Sequence, residues 1–129
     1  MKLKIVVAGA TGWVGKALIA AIAASEDLVL AGAVARTAAG EDAGEAVGIA
    51  TLGVPISASL EDALATPSDV VIDYTKPHVV KDHALTALGS GRHVVIGTSG
   101  LGAEDFAEID AAARAAGKGV IAAGNFSIT

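Results

Sequence analysis

The run Gly9-Ala10-Thr11-Gly12-Trp13-Val14-Gly15 lies between the apolar stretch Lys4-Ile5-Val6-Val7-Ala8 and a segment that reads as an amphipathic helix. A β-branched strand that turns through glycines into a helix strongly limits what the chain builds around it. Glycine is needed because a backbone that touches a pyrophosphate cannot carry a Cβ at the contact. The free N–H groups of the helix's first turn, at the positive end of its dipole, then receive the anion. Strand, loop and helix together make a cradle for a dinucleotide phosphate. A glycine triplet alone is a weak signal, and its meaning rests on whether the rest of the chain agrees.

Apolar runs and alanine-rich helical stretches alternate along the remainder. The first helix is predicted from Trp13 to Ala24, with Val14, Leu18 and Ile22 at helical spacing toward the sheet. Leu28 to Ala35 reads as the second strand. Thr37 to Gly48 has no clear period and reads as a loop or frayed helix. Val54-Pro55-Ile56-Ser57 suits a short edge strand, where proline is tolerated. Ser59-Leu60-Glu61-Asp62 has the form of a capping box and opens a short helix that ends before Pro67. Asp69 to Tyr74 is the clearest buried strand, and Pro77 opens a helix that runs to about Leu88 before Gly89 and Gly91 stop it. His93 to Ile96 is a fifth strand, Ala103 to Ala116 a helix halted at Gly117, and Gly119 to Ala123 a final strand. This alternation predicts an α/β fold, a Rossmann-type doubly wound parallel sheet with helices on both faces and strand order 3-2-1-4-5-6. Residues 1–129 are expected to form one dinucleotide-binding domain.

Composition narrows the function classes. Hydrophobic residues make up 53% of the chain, yet no uninterrupted apolar run approaches the roughly 18 residues of a membrane span. Alanine and valine supply most of the excess, as buried parallel strands require. Met1-Lys2-Leu3-Lys4 ahead of Ile5-Val6-Val7-Ala8 imitates a signal peptide, but no clear cleavage site follows, so the N-terminus is expected to be retained. The absence of cysteine removes disulfides and thiolate metal sites and suits a cytoplasmic protein. A net charge of −5 argues against nucleic acid as the main partner.

In such a sheet, ligands bind beyond the carboxyl ends of the strands. Five segments are expected there: the glycine loop, Ala35-Arg36-Thr37, Tyr74-Thr75-Lys76-Pro77, Gly97-Thr98-Ser99-Gly100 and Gly124-Asn125-Phe126-Ser127. All are turn-like and rich in glycine or small hydroxyl residues. Arg36 lies about twenty residues beyond the glycine loop, where an acid would bind the ribose of NAD and a cation the 2′-phosphate of NADP. With Ala35 beside it, Arg36 reads either as an NADP determinant or as an ordinary exposed arginine. Trp13, the only tryptophan, either packs on the domain surface or a partner domain, or lays its ring against the adenosine phosphate. His78, His83 and His93 lack metal-ligand spacing and read as structural. Asp73 ends a buried strand and is expected to bond the backbone of the next turn. Lys76 is placed equally well in the groove or in solvent.

Val7 to Gly15, Asp73-Tyr74-Thr75-Lys76-Pro77, Gly97-Thr98-Ser99-Gly100 and Asn125-Phe126-Ser127 occur in that order across essentially the whole chain. In this the chain resembles the N-terminal, cofactor-binding half of the 4-hydroxy-tetrahydrodipicolinate (dihydrodipicolinate) reductase family. The resemblance implies NADPH as cofactor, with NADH possible. It implies that Gly9, Ala10, Thr11, Gly12, Trp13 and Val14 hold the pyrophosphate and Arg36 the 2′-phosphate. It places Gly97, Thr98 and Ser99 along the nicotinamide end, with Ala123, Gly124, Asn125 and Phe126 closing the groove, and counts Thr75 among the cofactor-binding residues. The family reduces 4-hydroxy-tetrahydrodipicolinate to tetrahydrodipicolinate in the diaminopimelate route to lysine, commonly as a homo-oligomer. Trp13 replaces an arginine often found in the family's loop, Ala35 replaces an acid, and Thr129 stands where many members have glycine. The family's His-His…Lys and Ser-Gly-Thr segments belong to a second, substrate-binding domain and have no match here, so these 129 residues are expected to bind cofactor without turnover. Two other readings fit the same pattern. One is the cofactor domain of a homoserine, aspartate or diaminopentanoate dehydrogenase, and the other a non-catalytic nucleotide-sensing module.

Overall fold

The computed structural model describes residues 2–98 and 100–122. The first apolar stretch forms strand β1, Leu3–Ala8, and its last four residues are all buried. They alternate between two cores: Val6 and Ala8 face one, Ile5 and Val7 the other. Only a strand covered on both faces buries four consecutive residues in this way.

Helix α1 (Trp13–Ala24) returns the chain to β2 (Leu28–Val34), and the one-turn helix α2 (Ala43–Ala46) precedes the edge strand β3 (Ile56–Ser57). After α3 (Leu60–Ala63) come β4 (Val70–Asp73), α4 (Pro77–Gly89), β5 (His93–Ile96), α5 (Ala103–Ala116) and β6 (Val120–Ala122). The strands pair in parallel in the order β3-β2-β1-β4-β5-β6, as expected from the alternation. Ile19 and Ile22 of α1 and Ala43 of α2 pack on the Ile5/Val7 face. Leu60 of α3, Val80, Ala84 and Leu88 of α4, and Ile109 of α5 pack on the other. Each fully buried aliphatic side chain of this size stabilises the fold by about 1.5–3 kcal/mol.

The face of α1 departs from expectation. Gly15, Ile19 and Ile22 are its buried residues, whereas Val14 is exposed and Leu18 half-buried. Gly15 seats the helix, because a Cβ there would overlap the Gly9 carbonyl oxygen and stand 2.9 Å from Ala10 C and O. Close backbone approach therefore sets the helix rotation, and the aliphatic stripe starts one residue later.

The segment without clear period is organised by one acid. Asp42 accepts hydrogen bonds from the N–H groups of Glu45 (3.1 Å), Leu52 (3.0 Å), Gly53 (2.8 Å) and Val54 (3.2 Å). It thereby caps α2 and ties the following loop to it. These bonds, led by that of Leu52, hold its carboxyl below the usual carboxylate range against a smaller opposing effect of desolvation. A lowered folded-state pKa contributes stability above the unfolded value, about 4, and loses it as pH falls through the folded one. Hydrogen exchange at the Leu52, Gly53 and Val54 amides is expected to accelerate below about pH 4 ahead of β1 amides, once the intrinsic pH dependence is removed. Uniform protection across both sets would contradict this role.

Candidate nucleotide-binding site

The sheet register sets Val34, Ala8, Asp73 and Ile96 side by side across four strands. The residues that follow them, Ala35, Gly9, Tyr74 and Gly97, therefore share one edge. Backbone bonds join these loops: Gly9 N and Ala10 N both donate to Val34 O at 3.0 Å, Tyr74 N to Ala8 O at 3.0 Å, and Gly97 N to Asp73 O at 2.9 Å. Gly9 has a positive φ of 83°, and a Cβ added there would stand 2.5 Å from Tyr74 O. Only glycine meets both demands.

Above this edge lies a groove of about 520 Å³. Gly9, Thr11 and Gly12 form one wall, Val34 to Arg36 and Ala58 to Glu61 another, and Tyr74 to Lys76 with His78, Val79 and His83 the third. The N-terminus of α1 opens beside it, with Gly12 as N-cap, no side-chain cap bond and no acid in its first turn. Helix α4 likewise starts without a side-chain cap at Lys76. Uncapped helix N-termini leave backbone donors for an anion. Arg36, Lys76, His78 and His83 line the groove against one carboxylate, Glu61, in a chain of net charge −5. Among the described residues, no salt bridge engages Arg36.

Of the residues singled out from the sequence, Gly9, Thr11, Gly12, Arg36 and Thr75 meet in this groove. Ala10 is fully buried beneath the loop. Trp13, 96% exposed, and Val14 begin α1 outside the lining. Gly97 and Thr98 lie outside the lining, and the Tyr74 ring stands where a Gly97 Cβ would be. Thr98 Oγ1 donates to Thr75 O at 3.1 Å and links the two loops. Ser99, Ala123, Gly124, Asn125 and Phe126 lie outside the described residues. Ser59, Glu61, His78 and His83 also reach the groove and were not assigned to it from sequence. Ser59 Oγ accepts from Asp62 N at 3.2 Å as the N-cap of α3.

Asp73 carries the densest polar contact at the site. It is 1% exposed and accepts from Thr75 N at 2.9 Å and Thr75 Oγ1 at 2.5 Å. The bond to the next turn was expected. The unforeseen partner is His83 of α4, whose Nδ1 lies 2.7 Å from Asp73 Oδ2. The hydrogen bond to Asp73 raises the His83 pKa above the ordinary imidazole value; burial opposes the shift, and the charges of Asp73, Glu61 and Asp82 reinforce it. His93 is structural, its Nδ1 accepting from Gly119 N at 2.9 Å. Among the described residues no cluster of three or more His, Asp or Glu is arranged to hold a metal ion. No helix there is long and apolar enough to cross a membrane.

A parallel sheet in this order, with a glycine loop and uncapped helix N-termini at its switch point, defines a Rossmann-type nucleotide-binding domain. The family model for the dihydrodipicolinate reductase N-terminus matches residues 3–126, and the chain belongs to that family. It is 41% identical to the 4-hydroxy-tetrahydrodipicolinate reductase of Synechococcus elongatus, over 98% of this chain and 49% of that protein. It is 38% identical to the enzyme of the same name from Syntrophomonas wolfei, over 98% and 48%. Among solved structures, dipicolinate-bound dihydrodipicolinate reductase from Paenisporosarcina sp. superposes with TM-score 0.83 at 27% identity, covering 99% of this chain and 49% of that one. The WlbA dehydrogenase of Bordetella pertussis, solved with NADH and UDP-GlcNAcA, superposes with TM-score 0.75 at 26% identity, over 94% and 34%. The chain spans about half the length of the curated relatives it matches.

Proposed function

We propose that the chain binds NADPH in preference to NADH and is the cofactor half of a 4-hydroxy-tetrahydrodipicolinate reductase. The observation that carries this reading is the pairing of the uncapped α1 N-terminus with Arg36 at the end of β2, on one cation-lined groove. The amides of the first turn of α1, after Gly12, would hold the pyrophosphate, close to the backbone where a Cβ has no room at Gly9 or Gly15. Arg36 would take the 2′-phosphate, with the small Ala35 leaving space and adding no competing negative charge. The family resemblance extends the site to Thr75, to Gly97, Thr98 and Ser99 at the nicotinamide end, and to residues 123–126. It also includes Ala10, Trp13 and Val14 in the glycine loop.

When bound, the nicotinamide supplies the hydride that reduces the cyclic, imine-like substrate. The residues of this chain bind and orient; substrate contacts and proton donation belong to a further domain of the parent enzyme. The partners proposed are the dinucleotide and a small cyclic substrate rather than nucleic acid or membrane. The parent enzyme is proposed to be a cytoplasmic homo-oligomer.

Calorimetric titration tests the cofactor assignment. Wild type is expected to favour NADPH over NADH by about 10- to 100-fold, the worth of a charge-assisted phosphate contact. Arg36→Ala is expected to remove most of that preference while NADH affinity changes little. Equal affinities in wild type, or a preference that survives the substitution, would contradict the role of Arg36. A turnover assay on the 129 residues alone is expected to show no reduction.

A further inference from the structure

We infer that His83 is a positioning residue whose proton sets how tightly the groove holds its dinucleotide, acting through Asp73 on the Tyr74–Lys76 wall. The inference rests on the nucleotide reading above and assigns a specific residue to its pH dependence. One carboxylate joins three elements: it ends β4, accepts both Thr75 bonds in the loop and meets the His83 ring on α4. The loop it fixes has no slack on its other side. Tyr74 O lies where a Gly9 Cβ would be, and Thr75 O accepts from Thr98 Oγ1. A shift of Asp73 is therefore passed to the glycine loop and to the β5 loop together.

The proton matters because of where it sits. Asp73 engages Nδ1, so the titrating position is Nε2, on a ring that lines the groove. With His83 charged, the buried carboxylate is compensated and the lining gains a positive charge toward a polyanionic ligand. With His83 neutral, Asp73 keeps a hydrogen bond but its charge acts on the groove uncompensated. The charges that act on this ring are those of Asp73 at the end of β4, Glu61 on α3 and Asp82 on its own helix. Arg36, Lys76 and His78 share the lining. His78 has no carboxylate partner among the described residues.

The test is the affinity for NADH, which has no 2′-phosphate to titrate, measured by calorimetry from pH 6 to 9 on wild type, His83→Gln and His78→Gln. The wild-type Kd is expected to rise about three- to tenfold with pH in a one-proton step. That step should coincide with the His83 ring titration seen by NMR, vanish in His83→Gln and persist in His78→Gln. A step that survives in His83→Gln, or a flat wild-type profile with binding intact, would overturn the inference. Absence of binding at every pH would instead contradict the nucleotide reading. Thr75 amide exchange in the ligand-free protein then decides: a protection change that tracks the His83 titration supports the link, and constant protection overturns it.

Discussion

Gly15→Ala is expected to destabilise the chain by about 3 kcal/mol and to weaken dinucleotide binding by more than tenfold. The added methyl has no empty space to enter, since its nearest neighbours are the carbonyl oxygen of Gly9 and the carbonyl group of Ala10. These are backbone atoms, held in turn by bonds from Gly12 N to Gly9 O and from Gly9 N and Ala10 N to Val34 O. The clash is relieved only by lifting α1 off the sheet, which opens the Ile19 and Ile22 contacts, or by moving the loop that forms the groove wall. Gly89→Ala is the matched control. A Cβ at Gly89 meets nothing within 4 Å, so that substitution is expected to be neutral or to stabilise by about 0.5–1 kcal/mol. Urea unfolding of both variants checks the stabilities. A Gly15→Ala protein as stable as wild type would show that α1 is not seated by backbone contact.

Asp73→Ala is expected to cost about 3–5 kcal/mol. The substitution strips Thr75 N and Oγ1 of their acceptor and leaves His83 beside a cavity, at a position 1% exposed. Asp73→Asn keeps the shape and one acceptor oxygen, and its cost should be smaller. The same pair sets a pH dependence whose sign follows from the raised His83 pKa. A group with a folded-state pKa above its unfolded value of about 6.5 contributes its full stability below that value and loses it as pH rises through the folded one. Wild type should lose this contribution between mildly acidic and alkaline pH, and Asp73→Asn should show a smaller loss. Equal pH slopes in denaturant unfolding would contradict the coupling.

The sheet was legible because each strand carries its own signal. Val70 to Asp73 and His93 to Ile96 are short apolar runs between turn residues, and β-α alternation with the glycine loop leaves one natural strand order. The rotation of α1 was not legible, since hydrophobic periodicity sees Val14 and Leu18 but not the backbone contact at Gly15. Asp42 was missed for a related reason: three of its partners lie ten to twelve residues ahead, beyond any local pattern. At the site, the glycine loop, Arg36 and Thr75 were visible as strand-end residues. Ser59 and Glu61 follow β3 and are subject to the same topological rule, but the capping signal drew the reading toward local structure instead. The Asp73–His83 pair spans a strand end, a loop and nearly two helical turns, and only the packing of α4 on the sheet brings it together.

In the proposed function a dinucleotide lies across the amino end of α1 and the β4–α4 loop. The direct measurement is an NMR titration of the assigned chain with NADPH, following backbone amides. Saturable shifts are expected, centred on residues 9–15, Arg36 and Thr75, with the β1 residues below the loop moving little. Shifts confined elsewhere, or none at millimolar NADPH, would contradict it.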